Sequence, residues 1–363
     1  MKPRMVRVFR LLLLVLPVLF ASCSLEEGNR EKMVDLQQVR HDPEAQLANL
    51  TAAIGQNGRD GSLYARRSLV LLRTGQLQQA LNDADKAVSL TRNEPFSLFV
   101  KAQVLRALGR PGEALPLALQ AERNSYQSAS LYVLLGEIYL DRGEYQQARR
   151  YLNKAQELAP DDEYVFYYKG RVAEATGDTA QALKHYRLVL RQAPDFLEPK
   201  RELSRLLLGQ QKYEEARPYI ASALSTDPEV GALWYYRGLV LQASERPDSA
   251  LTAYAKAVAL NDTIAGAHYW LGLQQHKLGN NEAAIAHLKK SRSLYGDEPK
   301  YLSTLASAYE RTGQLVGALG AYQRLVQVAP GNAYAYQAIS RLKYKIANTR
   351  PASTVVQQAQ TEQ

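Results

Sequence analysis

Residues 132–160 read YVLLGEIYLDRGEYQQARRYLNKAQELAP, and the first half of this stretch predicts an amphipathic helix. Tyr132, Leu135, Gly136 and Tyr139 lie at i, i+3, i+4 and i+7. This spacing places all four residues on one face of a helix. An apolar face of this kind is stable only when another element covers it.

The second half of the stretch predicts a second helix, joined to the first by a tight turn. Ala148, Leu152 and Ala155 share one face of this helix. Between the two helices, Gly143 can adopt the left-handed backbone that ends the first. Pro160 ends the second helix because proline cannot continue one. The stretch therefore predicts a helical hairpin.

The hairpin pattern recurs along the chain with a step of 34 residues. Glycine equivalents of Gly143 occur in six of eight places, and Gln211 and Glu245 fill the other two. Alanine equivalents of Ala148 occur in all eight places. These copies cover residues 61–332 without an insertion. The sequence therefore predicts eight consecutive hairpins.

This pattern resembles the tetratricopeptide repeat (TPR) family, whose repeats have a large side chain, Leu-Gly, an aromatic residue, a small residue in the second helix and a closing proline. The third repeat has all of these features, whereas the tryptophan place holds Trp only at Trp234. The resemblance implies an all-α fold, a right-handed α-solenoid (superhelix) of eight TPR hairpins. The repeats are residues 61–94, 95–128, 129–162, 163–196, 197–230, 231–264, 265–298 and 299–332.

A capping helix is expected at each end of the array, because a stack of hairpins leaves an apolar flank open at its first and last members. Residues 43–60 predict the N-terminal cap and residues 333–347 the C-terminal cap. Sixteen repeat helices and two caps give eighteen helices in one continuous solenoid. The polar residues 348–363 predict a disordered tail.

Two sets of positions in the hairpins carry specific predictions. Gly136, Gly170, Gly238 and Gly272 lie inside four first helices, where glycine costs about 1 kcal/mol relative to alanine. We expect them to permit close helix packing against the alanine row at Ala148 and its equivalents. At Gln211 and Glu245, a left-handed turn would cost about 1 kcal/mol, or else a different turn would form, so residues 209–248 are predicted to be more mobile than the rest.

The first 22 residues resemble the signal peptide of a bacterial lipoprotein. Four basic residues, an apolar run at residues 11–20 and Ala21-Ser22 precede Cys23, and the ten-residue run is too short to span a membrane. The resemblance implies a lipid on Cys23, a lipidated tether over residues 23–42, and an outer membrane lipoprotein at the periplasmic face or the cell surface. Secretion with an unmodified cysteine is the alternative.

Charge and cysteine content exclude several kinds of partner. The chain has 45 basic and 36 acidic residues, a formal charge of +9. This modest excess is spread along the sequence, so nucleic-acid binding is not expected. The single cysteine excludes an internal disulfide.

The five histidines show no metal-ligand spacing, and no phosphate-binding glycine loop or G-x-S-x-G is present. We therefore expect no metal, no cofactor and no catalysis.

In TPR proteins, the first helices line a concave groove, with repeat positions two, five, six, nine, twelve and thirteen directed into it. The resemblance therefore implies a groove that binds partners. Its residues would be Phe96, Phe99, Tyr164, Tyr167, Tyr168, Arg171, Arg201, Arg205, Tyr235, Tyr236, Tyr269, Trp270 and His276. Tyrosine, tryptophan and arginine dominate binding energy at many interfaces. Each tyrosine could equally well pack between neighbouring first helices, with its hydroxyl at the rim.

The carboxylate clamp by which some TPR proteins hold chain termini needs lysine and asparagine at positions five and nine, and asparagine at position six of the next repeat. Arg201, Arg205 and Tyr236 occupy these places, so the clamp is not expected.

The sequence predicts a noncatalytic TPR scaffold for protein-protein interaction, tethered by lipid to the outer membrane. Its partners would be protein or peptide segments of the cell envelope, within an assembly or secretion complex. A surface receptor for glycan or peptide ligands is the alternative, because aromatic side chains can also stack on sugars. A hydrolase is a weaker alternative.

Overall fold

The computed structural model describes residues 42–349, which contain eighteen α-helices and no strand. The all-α class and the number of helices are confirmed. The helices are α1 Pro43–Gln56, α2 Gly61–Arg73, α3 Leu77–Thr91, α4 Pro95–Ala107, α5 Pro111–Arg123, α6 Ala129–Asp141, α7 Tyr145–Leu158, α8 Glu163–Ala175, α9 Thr179–Gln192, α10 Leu197–Gly209, α11 Tyr213–Thr226, α12 Gly231–Ala243, α13 Pro247–Leu260, α14 Ala265–Lys277, α15 Asn281–Tyr295, α16 Pro299–Arg311, α17 Leu315–Val328 and α18 Ala333–Thr349.

The described residues form two compact units, 42–127 with α1 to α5 and 128–349 with α6 to α18. In each unit, the two helices of a predicted hairpin pack extensively on each other, and α18 packs on α17. First helices of successive repeats also meet, as α6 does with α8 and α14 with α16. The predicted helical hairpins are therefore confirmed as consecutive packed pairs.

The turns inside the hairpins have one backbone geometry, whichever residue they contain. The six turn glycines have φ between 73° and 87°, and Gln211 and Glu245 have φ of 59° and 56°. At Gly143 the turn closes with a bond from its N–H to the Leu140 carbonyl, 2.9 Å long, and the Gln211 N–H makes the same bond to Leu208 at 2.9 Å. Both non-glycine residues thus adopt the unfavourable left-handed conformation.

Four first-helix glycines receive a side chain from the second helix of their own hairpin. A methyl group added at Gly170 would lie 2.6 Å from the Tyr186 ring, and one at Gly238 would lie 2.3 Å from the Tyr254 ring. Leu152 and Leu288 fill the same place against Gly136 and Gly272, at 2.7 Å. Close packing is therefore present; the nearest side chain is this larger one, and the Ala148 carbonyl oxygen also lies 3.5 Å from a methyl group added at Gly136. The alanine row lies four residues earlier in the second helix.

The buried residue four places after the row alanine, which faces the glycine in these four hairpins, alternates in character along residues 128–349. Leucine or isoleucine occupies the place in α7, α11 and α15, and tyrosine occupies it in α9, α13 and α17. A buried hydroxyl needs a hydrogen-bond partner. Tyr186 donates to Glu174 Oε2 at 3.1 Å, and Tyr254 donates to Gln242 Oε1 at 2.7 Å.

The last helix covers α17 with Ala335, Ala338 and Leu342, all of them fully buried. It ends at Thr349, two residues beyond the predicted boundary, so Asn348 and Thr349 do not belong to a disordered tail. Cys23, the predicted signal peptide and the predicted tether up to residue 41 lie outside the described residues. None of the helices between residues 42 and 349 has the length and hydropathy of a membrane span.

Candidate functional site

The predicted groove residues differ widely in accessibility. Phe99, Tyr167 and Tyr269 are buried, at 4%, 8% and 3% exposure. Tyr164 is 50% exposed, and Arg201 and Arg205 are also exposed. The half-buried residues are Phe96, Tyr168, Arg171, Tyr235, Tyr236, Trp270 and His276. Tyr167 and Tyr269 are therefore packed inside the protein, with ring contacts to side chains of their own repeats.

Phe96 and Phe99 belong to the unit of residues 42–127 and pack there on Tyr126. The ring centroids of Phe99 and Tyr126 are 5.2 Å apart, and those of Phe96 and Tyr126 are 6.0 Å apart. Tyr126 follows α5 and lies outside the repeat positions from which the groove was predicted. The structure thus gives these two phenylalanines a local packing role.

The remaining predicted residues lie in the unit of residues 128–349, in the first helices α8, α10, α12 and α14. We call the accessible side chains of these helices and of α16 the first-helix face. Tyr167 lies at its α8 end, with its ring 5.1 Å from Tyr168, 5.4 Å from Phe196 and 6.0 Å from Tyr186. Burial raises the pKa of the Tyr167 hydroxyl. Tyr167 is therefore part of the packing that supports the exposed Tyr164.

Arg205 joins α8 to α10 through two carboxylates that sequence reasoning missed. Its guanidinium forms ion pairs with Glu174 of α8 and, at 3.0 Å, with Glu202 of α10. Glu174 also accepts a hydrogen bond from the Tyr186 hydroxyl. Glu174 occupies groove position twelve of its repeat and Glu202 occupies groove position six. The positions used to predict the groove could therefore have identified both glutamates.

The same ion pair recurs at the end of the array. Arg341 of α18 contacts both carboxylate oxygens of Glu310 in α16, at 2.9 and 3.0 Å. The separation of 31 residues equals that between Arg205 and Glu174. Arginine at position nine therefore pairs with glutamate at position twelve of the preceding hairpin, and its charge is satisfied within the protein.

Arg201 and Arg171 differ from Arg205 in their partners. Arg201 forms no hydrogen bond or ion pair with any residue in the described range 42–349. Arg171 has one weak contact, 3.4 Å from its Nη1 to the Tyr167 hydroxyl. Burial raises the pKa of Tyr236, and the nearby Arg205 and Arg201 lower it. Tyr236 thus shares its surroundings with these arginines.

Aromatic contacts continue the first-helix face from α12 to α16. The rings of Tyr235 and Tyr236 are 6.0 Å apart, and Tyr235 lies 5.9 Å from Tyr254. Tyr254 stacks on Trp270, with centroids 6.3 Å apart and planes at 8°. The Lys300 ammonium lies over the Trp270 ring, 5.6 Å from its centroid.

A pocket of about 370 Å³ opens beside Trp270. Tyr254 and Leu273 form part of its wall, and Lys277 and Lys300 lie at its edge. Neither lysine makes an ion pair within residues 42–349. Lys300 was missed by sequence reasoning although it occupies groove position two. Tyr254 was missed because it lies on a second helix, which the groove positions do not include.

Three histidines, His268, His276 and His287, form local hydrogen bonds. His276 Nδ1 lies 2.9 Å from Asn281 Oδ1 at the start of α15. His268, fully buried, pairs with His287, with 2.8 Å between the two Nδ1 atoms, and its Nε2 lies 2.9 Å from the Asp262 carbonyl. In the described part of the chain, no group of three or more His, Cys, Asp or Glu residues could hold a metal ion.

Comparison with family models identifies the repeat. A tetratricopeptide repeat model matches residues 99–163, 201–263, 237–299 and 277–333. A second tetratricopeptide repeat model matches residues 164–195.

Several curated proteins are similar to the chain over part of their length. Superkiller complex protein 3 of Mus musculus is 27% identical over 55% of this chain and 12% of its own length. The human protein O-mannosyl-transferase TMTC1 is 27% identical over 47% of this chain and 20% of its own length. TPR repeat-containing protein YpiA of Bacillus subtilis is 24% identical over 63% of this chain and 54% of its own length. The chain thus spans between about a tenth and about half of these relatives.

Solved structures show the same kind of fold at low sequence identity. The APC/C hetero-tetramer Cut9-Hcn1 has a TM-score of 0.54 at 17% identity, covering 82% of this chain and 58% of the solved one. Human IFIT1 in a dimer with PPP-AAAA has a TM-score of 0.52 at 15% identity, covering 79% of this chain and 68% of the solved one. Pseudomonas aeruginosa pilF has a TM-score of 0.50 at 20% identity, covering 60% of this chain and 97% of the solved one. These likenesses concern the fold alone.

Proposed function

The chain belongs to the tetratricopeptide repeat family, and from this premise we propose that it is a noncatalytic scaffold that binds protein or peptide segments on the first-helix face of α8 to α16. The observation that carries the proposal is the aromatic pocket beside Trp270, with two lysines at its edge that lack ion pairs in the described residues. Large aromatic surfaces in partly desolvated pockets typically anchor interfaces.

The charges of the first-helix face define the segment that would bind. Arg205 is neutralised by Glu174 and Glu202, so it contributes little to attracting an acidic partner. Arg201, Lys277 and Lys300 remain without such partners within residues 42–349. A peptide with an apolar anchor for the Trp270 pocket and acidic residues on either side fits this arrangement.

Co-precipitation from an envelope extract tests the proposed face. The test variant combines Tyr164→Ala, Arg201→Ala and Lys300→Ala, which are accessible and need not disturb the core. The matched control combines Leu158→Ala, Lys184→Ala and Arg191→Ala, an apolar and two basic residues exposed on second helices. The test variant should lose proteins that the control still retains.

Binding of an identified partner should then weaken by about tenfold or more, as expected when an anchor of about 1.4 kcal/mol or more is lost. Equal recovery of the same proteins by both variants would show that the face is not the binding site. Saturable binding of purified cell-wall glycan, with no protein partner recovered, would favour a glycan receptor instead.

We also propose that a lipid on Cys23 tethers the scaffold to the outer membrane, within an envelope assembly or secretion complex. The basic, apolar and small-residue segments ahead of Cys23 support this proposal. Cys23→Ser should release the protein from the membrane fraction and abolish incorporation of labelled palmitate. If the variant stays in the membrane fraction, the tether is not the lipid on Cys23.

A further inference from the structure

A second cavity lies on α11, α12 and the turn that follows α12, and it shares no lining residue with the pocket beside Trp270. It has a volume of about 540 Å³, within the range of about 300–1,000 Å³ typical of small-molecule sites. Three arginines and a tryptophan line it: Arg217, Arg237, Arg246 and Trp234. We call it the arginine pocket.

The floor of the arginine pocket is apolar and fixed by the core. Ile220 and Leu224 come from α11, and Val240 and Leu241 come from α12. Ile220 is 2% exposed and Val240 is 5% exposed, and both belong to the packed core of this unit. An apolar ligand lying on this floor would remove further carbon surface from water, which is favourable by about 25 cal/mol per Å².

Trp234 forms a rigid wall of the pocket. Its indole Nε1–H donates to the Pro228 carbonyl at 2.7 Å, which fixes the ring in one orientation. The Arg237 guanidinium lies over this ring, 5.2 Å from its centroid. The cation is thus held close to the apolar floor.

The arginines of the pocket are only partly neutralised. Arg217 pairs with Glu214 at 2.5 Å. Arg237 and Arg246 form no ion pair with any residue in the range 42–349. A guanidinium binds carboxylate and phosphate through two parallel hydrogen bonds. The pocket therefore combines an apolar floor with two cationic groups available to an anion.

We propose that the arginine pocket binds a small amphipathic anion, with its apolar body on Ile220, Leu224 and Val240 and its carboxylate or phosphate at Arg237 and Arg246. The volume fits one such molecule and exceeds that of a single amino-acid side chain. This site goes beyond the proposed scaffold function and does not depend on it. Carboxylate and phosphate share this chemistry, so both are tested.

The two tryptophans of the chain make the test specific, because each reports on a different pocket. In Trp270→Phe, the remaining Trp234 fluoresces from the arginine pocket. Dodecanoate and dodecyl phosphate, titrated below micelle-forming concentrations, should change this fluorescence saturably. In Trp234→Phe, the remaining Trp270 should show no saturable change.

Charge selection is tested with variants and with neutral ligands. Combining Arg237→Gln and Arg246→Gln should weaken binding by about tenfold or more, as expected for lost charge-assisted hydrogen bonds. Arg150→Gln with Arg191→Gln removes the same charge from exposed positions on the second helices α7 and α9 and should leave binding unchanged. Dodecanol should bind at least tenfold more weakly than the anions. Tighter binding of one anion identifies the preferred head group.

Three results would overturn the proposal: no saturable binding of either anion, equal binding of dodecanol, or an equal response from Trp270. Calorimetric titration of the unmutated chain with dodecanoate and dodecanol compares the charged and the neutral ligand without any variant. Together with the Trp234 and Trp270 fluorescence, which locates the site, it keeps the proposal testable even if the arginine variants fail to fold.

Discussion

The contact between Gly238 and Tyr254 makes a quantitative prediction about stability. Gly238 lies inside α12, where alanine is normally preferred over glycine by about 1 kcal/mol. A methyl group at this position would lie 2.3 Å from the Tyr254 ring, which is 1% exposed and cannot move into solvent. Gly238→Ala should therefore destabilise the protein, against the helix propensity of the two residues.

The magnitude follows from two opposing effects. Overpacking a well-packed core costs about 1–3 kcal/mol, and the gain in helix propensity offsets about 1 kcal/mol of this. Gly320, inside α17, has no atom within 4 Å of an added methyl group, so Gly320→Ala should gain about 1 kcal/mol. The difference between the variants isolates the overpacking cost, about 1–3 kcal/mol.

Urea denaturation followed by circular dichroism measures both free energies of unfolding. Repeat proteins can unfold in parts, so hydrogen exchange of α12, α13 and α17 amides should accompany it. Exchange should accelerate in α12 and α13 for Gly238→Ala and slow in α17 for Gly320→Ala. Equal stabilisation by the two substitutions would refute the close packing of Tyr254 on Gly238.

Two further predictions concern the turns and the pair formed by His268 and His287. Gln211→Gly and Glu245→Gly should each stabilise the protein by about 0.5–1 kcal/mol. A residue with a side chain in the left-handed conformation costs about 1–2 kcal/mol, and the greater freedom of glycine in the unfolded chain offsets part of the gain. The midpoints of urea denaturation measure the change, and unchanged midpoints would contradict the left-handed turns. Burial, His268 and Lys290 lower the pKa of His287 below its ordinary value of 6.5, so the unfolded chain binds this proton more readily. The neutral form of His287 therefore contributes fully to the free energy of unfolding above pH 6.5, and this contribution is lost as the pH falls below 6.5. His287→Asn should reduce the loss of stability between pH 7.5 and pH 5.5, measured by urea titration at both values. The same pH dependence in the variant and the unmutated protein would contradict this prediction.

The periodicity predicted the number of helices and the position of the turns. A residue such as Gly143 acts through its own backbone, so its effect can be read from the sequence. The left-handed turn at Gln211 shows that neighbouring contacts impose the same geometry even where the local preference opposes it. The sequence identified the glycines that permit close packing and the alanine row near them, but not Tyr254, because helix rotation decides which side chain of the second helix fills the space.

The candidate site was less predictable because its properties depend on contacts between repeats. Arg205 was predicted to be a partner-binding residue of the groove, but Glu174, 31 residues earlier, neutralises it. Tyr254 reaches the pocket beside Trp270 from a second helix, which a list of first-helix positions cannot include. Phe99 is directed into local packing by Tyr126, a residue in a loop. Each outcome depends on the distance between side chains that are remote in sequence.

The side chains that face the first-helix glycines make successive hairpins of residues 128–349 non-equivalent. Loss of residues 163–196 would place Leu152 and Ile220 in adjacent hairpins and would remove Glu174 from beside Arg205. Loss of residues 163–230 would instead bring Leu152 next to Tyr254, so that hairpins with an aliphatic residue and hairpins with a tyrosine at this place would still alternate. Gene rearrangements that insert or delete 68 residues within this range should therefore be tolerated better than those of 34.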